Sequence, residues 1–187
     1  NNKDVADNKD VLENVVENSL PEIAEPEEVE KISYYDEFGK EHKVEKKKWV
    51  EKKLNPGIKE NWNNVEALYP IVLDAFSKEA YSEVQEACFR IYSLDKNKER
   101  KTNILGTYYI KTDAYDQAIE MYKKYLSSEV ASESIYVNYA TALEGADRTW
   151  EAESIYLRAL KLNPNSVEAF RNYFKLIRRK GTKEYIK

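Results

Sequence analysis

The chain has little of what catalytic and metal-binding sites are usually built from. Its 187 residues include one cysteine, Cys88, one histidine, His42, and one methionine, Met121. A single cysteine excludes a disulfide framework and a cysteine-rich metal site. A single histidine excludes a histidine-cluster zinc centre. The five glycines, Gly39, Gly57, Gly106, Gly145 and Gly181, stand far apart, so no glycine-rich phosphate loop is present. No stretch approaches the roughly 18 apolar residues of a membrane-spanning helix. The chain does not begin with Met, which leaves an upstream leader or anchor open.

The formal charge of −4 hides a split. Residues 1–30 carry ten acids, two bases and no aromatic side chain, a net of −8. Residues 31–187 carry the other 24 acids and 28 bases, a net of +4, and all of the 15 Tyr, 5 Phe and 3 Trp. The first segment can bury little surface against the entropy of ordering it, so residues 1–30 read as an acidic, disordered tail. Within it, Val11, Leu12, Val15 and Val16 share one helical face before Leu20-Pro21 breaks the pattern. That stretch reads first as part of a linker, with a transient helix or a short docking segment as the alternative. The remaining 157 residues suffice for one domain with a core.

The body repeats itself every 34 residues. Tyr136, Ala140, Leu143, Ala152 and Tyr156 recur one period earlier as Thr102, Gly106, Tyr109, Ala118 and Tyr122, and two periods earlier as Leu68, Val72, Ala75, Val84 and Cys88. One period later stand Phe170, Phe174 and Ile177. Three units, 65–98, 99–132 and 133–166, follow without insertion, and a partial unit covers 167–187. Each reads as two helices with apolar steps of three and four, broken at segments such as Gly145-Ala146-Asp147-Arg148. Asn163-Pro164-Asn165-Ser166 closes one unit and offers a cap to the next.

Leu105-Gly106, Tyr109, Tyr115, Ala118 and Tyr122, with Ala152, Tyr156, Ala159 and Pro164 in the next unit, resemble the tetratricopeptide-repeat signature. The resemblance is strongest over 99–166 and weakest over 65–98, where Val72 and Val84 replace small residues and Pro70 falls inside the first helix. It implies an all-α, right-handed solenoid of helix hairpins. Gly106, Ala118, Ala140 and Ala152 then fall where the helices of a hairpin press closest.

Residues 31–64 read as a cap on the solenoid. Ile32 to Tyr35 and Lys40 to Val44 form a β-hairpin around Asp36-Glu37-Phe38-Gly39, leaning on the helices through Tyr34 or Tyr35 and Phe38. A charged helix, 45–54, should stop at Asn55-Pro56-Gly57, and a short helix near 58–62 leads to a capping Asn63-Asn64.

Nothing reads as catalytic, and no cofactor is indicated. Cys88 takes a core position with no histidine in the repeats to activate it. His42 reads as a solvated imidazole, and Trp49, Trp62 and Trp150 as packing residues. The resemblance places binding on the concave face, lined by the first helix of each unit. By register that face offers Arg100, Asn103, Thr107 and Lys111, then Ser134, Val137, Asn138, Thr141 and Glu144, then Arg171, Asn172, Lys175, Arg178 and Arg179. Tyr69, Leu73 and Phe76 form an apolar end. The carboxylate clamp of co-chaperone repeats is not reproduced. Its slots hold Asn103, Thr107, Asn138, Glu168 and Asn172, of which only Asn138 fits.

Residues 171–187 hold seven bases and one acid. A solvated cationic helix is the plain reading, and a docking face for an acidic peptide the sharper one. The expectation is a non-enzymatic scaffold with a protein or peptide partner. A docking domain of a longer enzyme is the alternative and RNA binding a minor one, because the body is only +4 and Lys46-Lys47-Lys48 is flanked by Glu45 and Glu51. The lone, reduced cysteine suits a cytoplasmic setting.

Overall fold

The computed structural model of the chain describes residues 29–36 and 38–184. The acidic segment read as a tail therefore lies outside the described residues, apart from Val29 and Glu30. An antiparallel hairpin of β1 (Lys31–Tyr35) and β2 (Glu41–Glu45) opens the fold, with Tyr34 opposite His42. Gly39 turns it at φ +77°. Asp36 Oδ1 accepts from the Phe38 and Lys40 amides at 3.0 and 2.9 Å.

The hairpin leans on the helices through Ile32, which is buried, and Tyr34. Tyr35 and Phe38, also expected there, are 69% and 86% exposed. The two-residue period of a strand puts Tyr35 on the face opposite Tyr34. His42 is not freely solvated. Its Nε2 lies 2.8 Å from Asp36 Oδ2 and its ring stacks on Tyr34 at 5.2 Å. That contact with His42, helped by the loop amides, holds the Asp36 carboxyl below its ordinary range.

Segments Lys46–Trp49, Val50–Leu54 and Asn55–Glu60 then run on as one helix, α1 (46–60). The stop expected at Asn55-Pro56-Gly57 does not occur. Val50–Leu54 is a π turn, in which the Asn55 amide reaches back to the Val50 carbonyl. The widened turn brings Pro56 into the helix where an α turn would clash with its ring. It also puts Trp49 and Leu54, five apart, together in the core.

The repeats follow as α2 (Val65–Ser77), α3 (Gln85–Leu94, after a 3-10 turn at Ser82–Val84), α4 (Lys98–Lys111), α5 (Tyr115–Leu126), α6 (Glu133–Gly145), α7 (Thr149–Leu162) and α8 (Val167–Glu184). Consecutive helices pack together, and α4 on α6 and α6 on α8 also touch. The core is continuous along the stack, and Tyr109 joins its two halves. Asn64, Asn97 and Ser166 cap α2, α4 and α8, accepting from the Ala67, Arg100 and Ala169 amides at 3.3, 3.0 and 3.1 Å.

The first helix of each full unit ends in the same way. Glu79, Asp113 and Asp147, spaced 34 apart, have φ of 55°, 56° and 57°. The next amide in each case, on Ala80, Ala114 or Arg148, bonds the carbonyl five residues back at 2.8–3.0 Å. This is a Schellman ending without its usual glycine. Aspartate tolerates the left-handed region better than glutamate does.

Close approach within the hairpins is set by the small residues. Gly106 is buried, and a Cβ there would run into the Tyr122 ring. Ala118, Ala140 and Ala152 have no exposed surface. Gly106→Ala should therefore lower unfolding free energy by about 1–2 kcal/mol, overpacking outweighing the gain in helix propensity. Glu79→Gly should raise it by about 0.5–1 kcal/mol by relieving the left-handed residue. Urea titrations of the two variants should move in opposite directions.

Candidate functional site

The first helices, α2, α4, α6 and α8, carry every residue that the register assigns to the binding face. These residues fall into clusters along the stack. At the α2 end, Arg100 Nη1 and Nη2 donate to Glu66 at 2.8 and 2.6 Å. Its Nε and Nη2 donate to Asp95 at 2.5 and 3.1 Å. Its guanidinium also lies 5.5 Å over the Tyr69 ring. Arg100 is thus a strut between units, its charge held by two carboxylates and its protonation strengthened by both. Burial pushes the Asp95 carboxyl up, but hydrogen bonds from Arg100 and the Asn97 amide override it and hold Asp95 below its ordinary range.

The middle is uncharged. Asn138 Nδ2 donates to Asn103 Oδ1 at 3.0 Å, and Asn103 Nδ2 donates to Ser134 Oγ at 3.1 Å. Both amides are half-buried. Below them lies the Tyr122 hydroxyl, beside Thr107 and Asn138 but in hydrogen-bonding geometry with neither. One period on, the Tyr156 hydroxyl has two partners, Thr141 Oγ1 and Glu144 Oε2, each at 3.1 Å. The residue 34 before Glu144 is Ile110, which offers no acceptor.

At the α8 end, Arg179 Nη1 lies 3.3 Å from Glu144. Thr141, Glu144, Tyr156, Asn172, Lys175 and Arg179 line a shallow cleft there. Arg171, Lys175 and Arg178 are exposed. Lys111 is exposed too, with its ammonium 5.9 Å over the Tyr81 ring. At the apolar end Leu73 is exposed, but Phe76, expected beside it, is buried against Tyr81.

The register thus places these residues on the first helices but does not give the pairings among them. Glu66 and Asp95, which hold Arg100, are not among the residues the register assigns to this face. Their signal was present, since Glu66 stands one period before Arg100 with opposite charge. Away from this face, Trp150 is 73% exposed instead of packed, with the Lys180 ammonium 3.4 Å from its ring centre. Cys88 is fully buried, and burial pushes its thiol up to about 12. Among the described residues no group of His, Cys, Asp and Glu could hold a metal ion, and no helix is long and apolar enough to cross a membrane.

Neither a protein-family model nor a curated protein sequence matches the chain. Solved structures do share its fold. The NMR structure of the first tetratricopeptide domain of the human RPAP3 protein superposes with a TM-score of 0.57 at 18% identity, over 66% of this chain and 98% of that domain. YrrB, a tetratricopeptide protein described as having an unusual peptide-binding site, superposes at 0.51 and 18% identity, over 72% of this chain and 69% of its own. The fold is therefore an all-α solenoid of the tetratricopeptide-repeat type, with a small antiparallel hairpin at its start.

Two substitutions separate the repeats energetically. Tyr122→Phe removes a hydroxyl without a partner and should leave stability unchanged or slightly higher, whereas Tyr156→Phe should cost about 1–2 kcal/mol in urea unfolding. The Arg100 strut should be pH-dependent. A carboxylate with a lowered folded pKa stabilises fully above its unfolded value, about 4, and that stability is lost as pH falls through the folded value. Asp95→Asn should accordingly destabilise by about 1–2 kcal/mol at pH 7, and the gap to the wild type should close as pH falls through the lowered folded value of Asp95.

Proposed function

We propose that the chain is a non-enzymatic interaction module that holds an extended peptide along the face of α2, α4, α6 and α8. The observation that carries this reading is the half-buried Asn103–Asn138 amide pair at the centre of that face, flanked by the charges of Arg171 and Lys175. A primary amide has two donors and an acceptor. Asn138 donates one N–H to Asn103 and stands beside the Tyr122 hydroxyl, while Asn103 donates one N–H to Ser134 and keeps its second for a backbone carbonyl.

Rigid spacing supports the same reading. Arg100 is fixed by Glu66 and Asp95, and Glu144 by Tyr156 and Arg179, so the groups around the pair lose little freedom when a ligand is held. The peptide is acidic on this proposal, because Arg171 and Lys175 form no ion pair among the described residues and stand next to Asn172. Exposed charges of this kind speed encounter more than they tighten it.

Asn103→Ala with Asn138→Ala should weaken capture of the partner at least about tenfold at any salt concentration. Arg171→Glu with Lys175→Glu should weaken it mainly at low salt and slow association. Both should leave circular dichroism unchanged. Equal binding by the Asn103/Asn138 variant and the wild type in surface-plasmon-resonance measurements would remove the proposal.

A further inference from the structure

The outer side of α8 is built like half of an interface. Val167, Phe170 and Phe174 follow one another at helical spacing and are 70%, 53% and 55% exposed. The two phenyl rings lie 4.5 Å apart, and Ile177 extends the stripe. By register, Phe170, Phe174 and Ile177 correspond to Tyr136, Ala140 and Leu143. Those three residues are buried, on the helix that packs against α7. The position on α8 is thus one that a second amphipathic helix covers elsewhere in the same molecule. Arg171 and Lys175 are exposed along one edge of the stripe.

The occupant should be apolar on one side and acidic beside it. A second α8 does not meet this condition, because two rows of Arg171 and Lys175 would be brought together. Residues 10–20, Asp10-Val11-Leu12-Glu13-Asn14-Val15-Val16-Glu17-Asn18-Ser19-Leu20, meet it from sequence: four apolar side chains at helical spacing, three acids and no base. Residues 21–29 span at most about 30 Å, against roughly 34–40 Å for three steps of about 8–10 Å between first helices and the width of α8, which favours contact between molecules over contact within one.

We infer that residues 10–20 of one molecule dock as an amphipathic helix on the Val167–Phe170–Phe174 face of a second molecule, joining copies head to tail. The contact is heterologous, so it propagates into chains or closes into rings. It uses the Phe170–Phe174 stripe, which the peptide groove does not, but shares Arg171 and Lys175 with that groove, so the Phe170/Phe174 and Asn103/Asn138 variants are the ones that separate the two.

Sedimentation velocity of the full chain over a range of concentrations tests it. The weight-average mass should rise with concentration, and more steeply at low salt. Phe170→Asp with Phe174→Asp, at exposed positions, should keep the melting temperature and groove binding yet weaken association at least about tenfold. Val11→Asp with Val15→Asp should abolish association from the other side. A labelled peptide of residues 8–22 should bind that second variant. Its affinity should fall with Arg171→Glu and Lys175→Glu and recover when the peptide carries Glu13→Lys and Glu17→Lys. A chain that stays monomeric at every concentration overturns the inference, as does peptide binding indifferent to Phe170 and Phe174.

Discussion

The stack depends on one contact repeated at a fixed period: a side chain of the second helix packed against a buried first-helix position, the two sharing a limited volume. In the middle unit Tyr122 lies on Gly106, and in the next the buried Tyr156 belongs to the same core as Ala140. The first unit inverts the sizes. Val72 stands where the others have Gly or Ala, and Cys88 stands where the others have Tyr. All of these second-helix residues are fully buried. The exchange keeps the summed volume roughly constant, which cores tolerate far better than a change at one site alone. The first unit departs from the repeat pattern in composition while preserving the packing that the pattern encodes.

That contact explains what was legible in the sequence. A constraint on volume recurs with the period, so it leaves a trace in residue size at 34-residue steps, and the helix hairpins follow from it. The left-handed turns at Glu79, Asp113 and Asp147 share the period but not a residue type, and a glycine search passes over them. Elsewhere the local signal was opposed by its neighbours. Pro56 reads as a helix stop, yet the preceding π turn carries the helix through it. Tyr35 and Phe38 read as anchors because they are large and apolar. Strand alternation gives the buried side to Ile32 and Tyr34.

The face of the first helices was legible as a face and not as a network. Register decides which side of α4, α6 and α8 a residue occupies. It does not decide which of several charges within reach will pair. Arg100, which register places only on the face, is committed to Glu66 and Asp95, and Arg179 to Glu144. Both are bridges between successive first helices, so part of the charge on this face goes into holding the units in register. Asn103 and Asn138 do the same with uncharged groups, and Asn103 retains a donor while doing so. On the proposed reading, recognition would draw on side chains that also provide cohesion, with exposed groups remaining at the centre and toward α8.

The two ends of the stack are unlike for a physical reason. A solenoid buries each unit against its neighbours, so each end presents a face that was made to be covered. At the first end Ile32, Trp49 and Leu54, from the hairpin and α1, join the core of α2. Among the described residues Tyr35 and Phe38 stay exposed there, on the hairpin, but form no helical stripe like the one on α8. The π turn matters here, because it is what brings Trp49 and Leu54 onto one side. At the other end the register continues through Phe170, Phe174 and Ile177, and no described element lies over them. Charge follows the same division, with the acids concentrated in residues 1–30 and the bases concentrated after residue 170. With the described face of α8 bare beside exposed Arg171 and Lys175, and the acids densest in residues 1–30, the inferred contact pairs unlike segments of the chain and not like ones.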